Sequence, residues 1–112
     1  MKLEGEQVLL RIHLSNFARW QLGPLYEALV TLARDAHLAG ATVLSGVYGY
    51  VDRGRLLGEH PNTLRVERPL VIELVDTDAA IQRFMHEVDA LVQEGLVTLE
   101  AVKIVSYGER SG

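Results

Sequence analysis

Four segments of the chain carry the pattern of polar and apolar residues that is typical of β-strands. The clearest runs from Val8 to Leu14, where every second residue is leucine, isoleucine or valine on one face of an extended chain. Residues 42–50, 70–75 and 101–107 are rich in the β-branched and aromatic side chains that favour strands. The pattern therefore predicts four strands.

Two further segments carry apolar residues three and four positions apart, as on one face of a helix. The first opens at Pro24, which suits a first helical turn, and is expected to end near Leu38. Asp76 or Thr77 can cap the second helix, and Gly95 stands where that helix should stop. The order β-α-β-β-α-β predicts an α+β ferredoxin-like sandwich, an antiparallel sheet with both helices on one face.

One face of this sheet should pack under the helices, while the other should mix valines with charged residues. The residues predicted to meet the helices are Leu10, Ile12, Leu44, Ile72, Leu74, Val102 and Ile104. The residues predicted to form the outer face and a subunit interface are Arg11, His13, Val43, Val71, Glu73 and Lys103. With the usual strand order 4-1-3-2, Glu73 would neutralise cations of the central strand. We therefore predict a homo-oligomer, with a sheet face exposed to water as the alternative.

A long polar stretch, residues 51–67, separates the second and third predicted strands. A loop of that length is unusual in a small domain and is typical of recognition. Gly46 and Gly49 precede it, and they can let a ligand approach the backbone or can mark a bulge or close packing. The stretch is therefore predicted to be a binding loop.

Charged and aromatic residues near this loop are candidates for anion and base recognition. Arg53 and Arg55 can clamp a phosphate, although charged loops are commonly just solvated. Tyr48 and Tyr50 can stack on a base, or can pack in the core or at an interface. Trp20, in the loop after the first strand, can frame the same ligand site or anchor its own loop. The chain carries no P-loop or dinucleotide fingerprint, so a phosphate would have to bind loop amides and arginines.

Composition limits the classes of function. With 112 residues and 48% hydrophobic content, the chain can bury one core, which predicts a single domain over residues 1–112. The mean hydropathy of +0.11 favours a subunit interface. The net charge of -4 argues against a nucleic-acid partner, and the chain has no cysteine for a disulfide. Since no apolar run approaches a membrane span and no signal-peptide pattern opens the chain, we expect a cytoplasmic protein that does not insert into membranes.

The residues predict neither a metal site nor a catalytic centre. The four histidines, at positions 13, 37, 60 and 86, have no local ligand spacing. Asp76 and Asp78 are explained by capping and by the dipole of the second helix. The glycine-rich phosphate loop that an acyl-phosphate hydrolase of this fold would need is absent after the first strand. We therefore expect a protein that is not an enzyme.

Four segments, in the same order and at matching spacing, resemble a known family. They read GPLYEA at 23–28, AGATVLSG at 39–46, PLVIELVD at 69–76 and EGLVTLE at 94–100. Over nearly its whole length the chain is similar to the PII-like "domain of unknown function" family numbered one-ninety. The resemblance implies a ferredoxin-like subunit, a trimer like those of PII signalling proteins, and a loop after the second strand that corresponds to the PII effector loop.

The resemblance also implies a ligand. PII relatives bind adenine nucleotides in clefts between subunits, near the base of that loop, and pass the ligand state to a membrane or enzyme partner. It implies no obligatory cofactor, but ATP, ADP, AMP or a similar small anion as an effector. The nucleotide-binding residues that follow are Gly46, Gly49, Tyr50, Arg53 and Arg55.

The chain departs from the family pattern at Ser45 and Val51, where many relatives carry arginine and glycine. Arg53 and Arg55 would then have to supply the charge for a phosphate. Two alternatives stay open. A ligand-free oligomer can act as an adaptor for a membrane protein such as a fluoride-channel-like partner, since some relatives occur with such proteins. Metal-binding trimers of the CutA copper-tolerance type share the ferredoxin-like trimer and would fit the same periodicity.

Overall fold

The computed structural model describes residues 3–58 and 66–108, so part of the predicted loop 51–67 lies outside the described residues. The elements in chain order are β1 (Gly5–Ser15), β2 (Arg19–Trp20), β3 (Gly23–Pro24), α1 (Leu25–Asp35), β4 (Gly40–Ser45), β5 (Tyr48–Gly49), β6 (Leu57–Gly58), β7 (Pro69–Asp76), α2 (Asp78–Val88) and β8 (Leu96–Ile104). The four long strands form an antiparallel sheet in the order β4-β7-β1-β8. This is the predicted strand order, and the α+β ferredoxin-like fold is confirmed.

The core lies between the sheet and the two helices. Alternate residues of β1 and β7 are buried under the helices, as strand periodicity requires. The buried cluster contains Leu10, Ile12, Leu14, Ile72 and Leu74 from the sheet, Leu25, Leu29 and Ala33 from α1, and Ile81, Phe84 and Val88 from α2. The predictions for Leu10, Ile12, Ile72 and Leu74 are confirmed.

α1 ends earlier than the predicted end near Leu38 because the chain turns back after Asp35. His37 adopts a φ of +60°. The N–H groups of His37 and Leu38 donate to the carbonyl oxygens of Arg34 and Ala33 at 3.0 and 3.1 Å. A residue in the left-handed conformation commonly closes a helix in this way, because it satisfies the last carbonyl groups.

Thr77 rather than Asp76 caps α2. Thr77 Oγ1 accepts a hydrogen bond from the Ala80 N–H at 3.1 Å. The buried Asp76 instead accepts the Ala39 N–H at 2.9 Å through Oδ2 and the Thr77 N–H at 2.6 Å through Oδ1. Asp76 therefore joins the turn before β4 to the start of α2, and backbone donors satisfy its carboxylate.

β8 begins at Leu96, before the predicted start at residue 101. Gly95, which was predicted to stop the second helix, has a φ of +131°, and a Cβ built on it would lie 2.3 Å from the carbonyl oxygen of His13. α2 itself ends at Val88. Gly95 is therefore required where the chain enters the sheet beside β1, not where the helix ends.

Two residues predicted on the outer face lie on the helix side of the sheet instead. Directly opposed residues of neighbouring strands share a face. Val43 is opposite the buried Ile72, and Lys103 is opposite Glu6 of β1, which shares the helix side with Leu10. The predicted outer-face positions of Val43 and Lys103 are therefore wrong. Both faces of β4 and β8 carry apolar side chains, so alternation alone does not fix which face is buried.

Candidate functional site

Arg11, Glu73 and Glu100 form an ion-pair cluster on the outer face of the sheet. Arg11 Nε donates to Glu73 Oε2 at 2.9 Å, and Arg11 Nη1 lies 3.4 Å from Glu100 Oε1. The hydrogen bond to Glu73 raises the pKa of Arg11 above its ordinary value. The pairing of Arg11 with Glu73 is the one that the sequence predicts. Glu100 was missed because the predicted start of β8 was wrong.

Apolar side chains surround this cluster. His13 is opposite Val71, as expected from the strand order. Leu44, Val102 and Ile104, which were predicted to meet the helices, also lie on this face, and Leu44 is 47% exposed. The face therefore combines apolar side chains with the ion-pair cluster, and its role as a subunit interface stays a prediction.

The predicted second strand, residues 42–50, divides into β4 and β5 at Gly46. The Gly46 N–H donates to the Pro69 carbonyl oxygen at 2.7 Å, and a Cβ on Gly46 would lie 2.9 Å from Pro69 Cγ. Gly49, with a φ of +154°, pairs with Leu57 where β5 and β6 form a narrow ribbon. Close backbone packing therefore accounts for Gly46.

A cleft of about 240 Å³ opens between the end of β1 and the base of the loop. Its lining consists of Ser15, Phe17, Ala18, Val51, Asp52, Arg55, Leu57, Glu67 and Glu94. The structure brings one of the predicted nucleotide-binding residues, Arg55, to this cleft. The other four, which are also among the described residues, lie outside its lining: Gly46, Gly49, Tyr50 and Arg53.

The aromatic candidates also lie outside the lining of this cleft. Tyr48 and Tyr50 are exposed on and beside the β5–β6 ribbon. Trp20 belongs to the β2–β3 ribbon, where it lines a separate groove beside α1. Within one subunit, none of the three is placed to stack on a base held in the cleft.

The guanidinium of Arg55 binds the carboxylate of Glu67 through two hydrogen bonds. Arg55 Nε lies 3.1 Å from Glu67 Oε1, while Arg55 Nη2 donates to Oε2. Ser15 Oγ, at the end of β1, also donates to Oε2 and accepts the Phe17 N–H at 3.0 Å. The side chain of Glu67 is 15% exposed and that of Arg55 is 71% exposed. We call Arg55, Glu67 and Ser15 the loop clasp.

The loop clasp favours the charged form of both partners. The hydrogen bond from Arg55 lowers the pKa of Glu67 below its ordinary value of 4.5, and the Ser15 hydroxyl lowers it further against the opposing effect of burial. Glu67 in turn raises the pKa of Arg55. A bidentate guanidinium–carboxylate contact is among the stronger polar contacts in proteins. The charge of Arg55 is therefore already compensated by a carboxylate of the same chain.

Asn16 provides a second anchor for the chain that returns from the loop. Its backbone N–H donates to the Arg68 carbonyl oxygen at 3.0 Å, and its Oδ1 accepts the Arg68 N–H at 2.8 Å. Asn16 Nδ2 donates to the Val66 carbonyl oxygen at 3.2 Å. The end of β1 therefore fixes residues 66–68 at the base of the loop.

Among the cleft residues that sequence reasoning missed are three polar ones: Ser15, Glu67 and Glu94. They come from separate parts of the chain, and no local spacing connects them. The strand order brings them together, because β1 lies between β7 and β8. The available signal was weak: a single carboxylate, Glu67, at the far end of a loop that contains arginines.

The described part of the chain holds neither a metal-binding group of side chains nor a membrane-spanning helix. Within residues 3–58 and 66–108, no three side chains of the metal-binding types His, Cys, Asp and Glu are grouped to hold an ion. His60 falls outside these residues. None of the helices described is both long and apolar enough to span a membrane.

Sequence comparisons address the predicted family directly. The sequence model of the family DUF190, described as "Uncharacterized ACR", matches residues 7–104. The chain belongs to this family. It is also 33% identical over 97 residues to a UPF0166 protein of Aquifex aeolicus (strain VF5), which covers 87% of this chain and 91% of that protein. The resemblance carried by the four sequence segments is confirmed.

Solved structures of PII-like proteins share the fold of this DUF190 chain. CPII, a nitrogen regulatory PII-like protein from Thiomonas intermedia K12 bound to ADP, AMP and bicarbonate, has a TM-score of 0.67 at 14% identity, and the match covers 88% of each chain. The divalent ion tolerance protein CutA1 from Ehrlichia chaffeensis has a TM-score of 0.54 at 13% identity, over 96% of this chain and 89% of that chain. These similarities show the fold alone.

Proposed function

We propose that this DUF190 protein is a cytoplasmic PII-like regulatory protein that binds an adenine nucleotide or a similar small anion in the cleft beside the loop 51–67. The placement of Arg55 carries the proposal, because its guanidinium suits a phosphate or carboxylate and lies at the base of that loop. CPII, which has the same fold, binds ADP, AMP and bicarbonate. Ligand binding would alter the contact of the loop with a membrane-protein or enzyme partner.

The size of the cleft supports a site that is completed by a second subunit. Protein pockets for small molecules usually occupy about 300–1,000 Å³, whereas this cleft measures about 240 Å³. One subunit would therefore hold the anionic part of a nucleotide, and its neighbour would cover the rest. The apolar outer face around the Arg11–Glu73 pair supports a homo-oligomer, which we propose to be a trimer.

The two departures from the family pattern bear differently on this site. Val51 lines the cleft, whereas Ser45 lies in β4 opposite Leu70. The cleft also carries carboxylates at Asp52, Glu67 and Glu94. Phosphate binding within one subunit therefore depends on Arg55.

Thermal unfolding with ATP, ADP, AMP and bicarbonate tests the proposal, with the molar mass measured by light scattering in the same buffers. A ligand at one hundred times its Kd adds about 2.7 kcal/mol to the free energy of unfolding and raises Tm. Arg55→Gln should abolish this rise. The matched variant Arg53→Gln removes a charge outside the cleft lining and should keep it. A trimer whose Tm responds to none of these ligands would contradict the proposal.

A ligand-free adaptor is the second candidate, and the pairing of Arg55 with Glu67 favours it. A guanidinium that already has a carboxylate partner does not require a bound anion. The adaptor should show no rise in Tm with any of the four ligands, while Arg55→Gln should still weaken binding to a membrane or enzyme partner. A CutA-like metal function receives no support from the described residues.

A further inference from the structure

Arg55, the cation of the cleft that would bind the ligand, already has a carboxylate partner in the same chain. Glu67 presents both carboxylate oxygens to Arg55, at the guanidinium edge that forms two parallel hydrogen bonds. A phosphate or carboxylate of a ligand prefers the same edge, because the geometry of the two acceptors is equivalent. Glu67 and the ligand's anionic group therefore have the same best position.

The position of Glu67 is built by more than one contact. Ser15 Oγ donates to Glu67 Oε2 from the end of β1, and the Asn16 anchor fixes the neighbouring Arg68 backbone. The side chain of Glu67 is also far less exposed than that of Arg55. Glu67 is thus held in place by the sheet, whereas Arg55 reaches it from the loop.

We infer that Glu67 competes with the anionic group of the ligand for Arg55, so that ligand binding opens the loop clasp. This inference rests on the proposed function, since it concerns the same cleft. Glu67 then sets the ligand affinity by competition, and its contact with Arg55 is lost when the ligand binds. The ligand must interact differently with the closed and open clasp, and the contact that its anionic group makes with Arg55 only in the open clasp supplies that difference.

The coupling follows from where the two partners lie in the chain. Arg55 and Glu67 belong to the two described parts of the loop, so their contact joins one part to the other. An anion that takes Arg55 breaks this contact but leaves the Asn16 anchor of residues 66–68 in place. The expected change is therefore in the position of Arg55 relative to Glu67, and it does not extend to the sheet.

The test compares ADP affinities by isothermal titration calorimetry at fixed ionic strength, in the wild-type protein and in two single-charge variants. Glu67→Gln keeps the shape of the side chain but removes the competing charge, and it should bind ADP about tenfold more tightly. Glu94→Gln removes the same charge from the same cleft, where Glu94 acts on Arg55 through space. Because screening weakens such an interaction, its gain should not exceed about twofold.

Each outcome decides between a specific clasp and a general charge effect. Equal gains in the two variants would overturn the inference, because removal of any cleft carboxylate would then suffice. ADP binding by the wild-type protein with no gain in Glu67→Gln would also overturn it, while the proposed function would stand. If neither protein binds ADP, the inference is overturned, and thermal unfolding with ATP, AMP and bicarbonate then decides the proposed function. If only Glu67→Gln binds ADP, the clasp is the barrier and the inference holds.

A second variant keeps the test decisive if Glu67→Gln does not fold. Ser15→Ala removes a hydrogen bond to Glu67 without changing any charge. It should raise ADP affinity in the same direction as Glu67→Gln but by a smaller factor, about two- to fivefold. An unchanged ADP affinity in folded Ser15→Ala would overturn the inference.

Discussion

The helix side of the sheet and the base of the loop are held together by different physical means. Under the helices, Leu10, Ile72 and Phe84 are fully buried and make apolar contacts. At the loop base, Glu67 and Asn16 make directional hydrogen bonds instead. Apolar burial has no preferred partner, whereas a hydrogen bond that Arg55 donates to Glu67 can be exchanged for one that it donates to a ligand. The core therefore determines the stability of the fold, whereas the loop base can change its contacts when a ligand binds.

The largest expected effect on stability comes from removing an apolar side chain of the core. Phe84→Ala removes a fully buried ring from the core, and it should lower the free energy of unfolding by about 3–5 kcal/mol. Leu22→Ala is the control, because Leu22 is 95% exposed and should change stability by less than about 0.5 kcal/mol. Urea unfolding at constant protein concentration measures both. Similar losses in the two variants would show that the Phe84 contacts do not hold the helices.

A charge on the outer face tests whether that face is an interface. Leu44→Glu should weaken subunit association by about 1–3 kcal/mol for each carboxylate buried without a partner, and lower the molar mass seen by light scattering. Val105→Glu places the same charge after β8 on an exposed residue and should leave the mass unchanged. If the two variants have the same trimer mass, the outer face is not the subunit interface of the proposed assembly.

A side chain added where β8 closely approaches β1 should cost less stability than the loss of a core ring. Gly95→Ala would place a Cβ 2.3 Å from the His13 carbonyl oxygen in a backbone with a φ of +131°, and should cost about 1–3 kcal/mol of stability. Gly23→Ala is the matched control, since a Cβ there meets no atom within 4 Å. If thermal unfolding gives equal Tm values for the two variants, the close approach of β8 to β1 is not constraining.

The sequence predicts the apolar part of this molecule better than the polar part. Thr77 was one of two expected caps, and a run of β-branched residues located β7, whose buried residues are apolar apart from Asp76. Alternation located β1, where Leu10, Ile12 and Leu14 are buried. It failed for Val43 and Lys103 because β4 and β8 carry apolar residues on both faces. Glu67 was missed for another reason: its partner Ser15 is 52 residues away, and the sheet alone brings the two together. Long-range hydrogen bonds leave no periodic signal in a sequence.

The smallest expected effect separates the two regions by their response to pH. The pKa of Glu67 is lower in the folded protein than its ordinary value, so its contribution to stability is present above about pH 4.5 and is lost as the pH falls through the lowered pKa. The difference in free energy of unfolding between the wild-type protein and Glu67→Gln should therefore shrink as the pH falls below about 4.5 and through the lowered pKa. Urea unfolding across this range measures it.

Phe84→Ala gives the contrasting pH profile, because no titrating group is removed. Its loss of stability should stay nearly constant over the same pH range, since the apolar contacts of Phe84 carry no charge. Arg55→Gln should instead follow Glu67→Gln, because either change removes the hydrogen bond that lowers the pKa of Glu67. If the Arg55→Gln profile runs parallel to that of the wild-type protein, Arg55 is not what holds Glu67 charged, and the loop base would not differ from the core in the way its hydrogen bonds indicate.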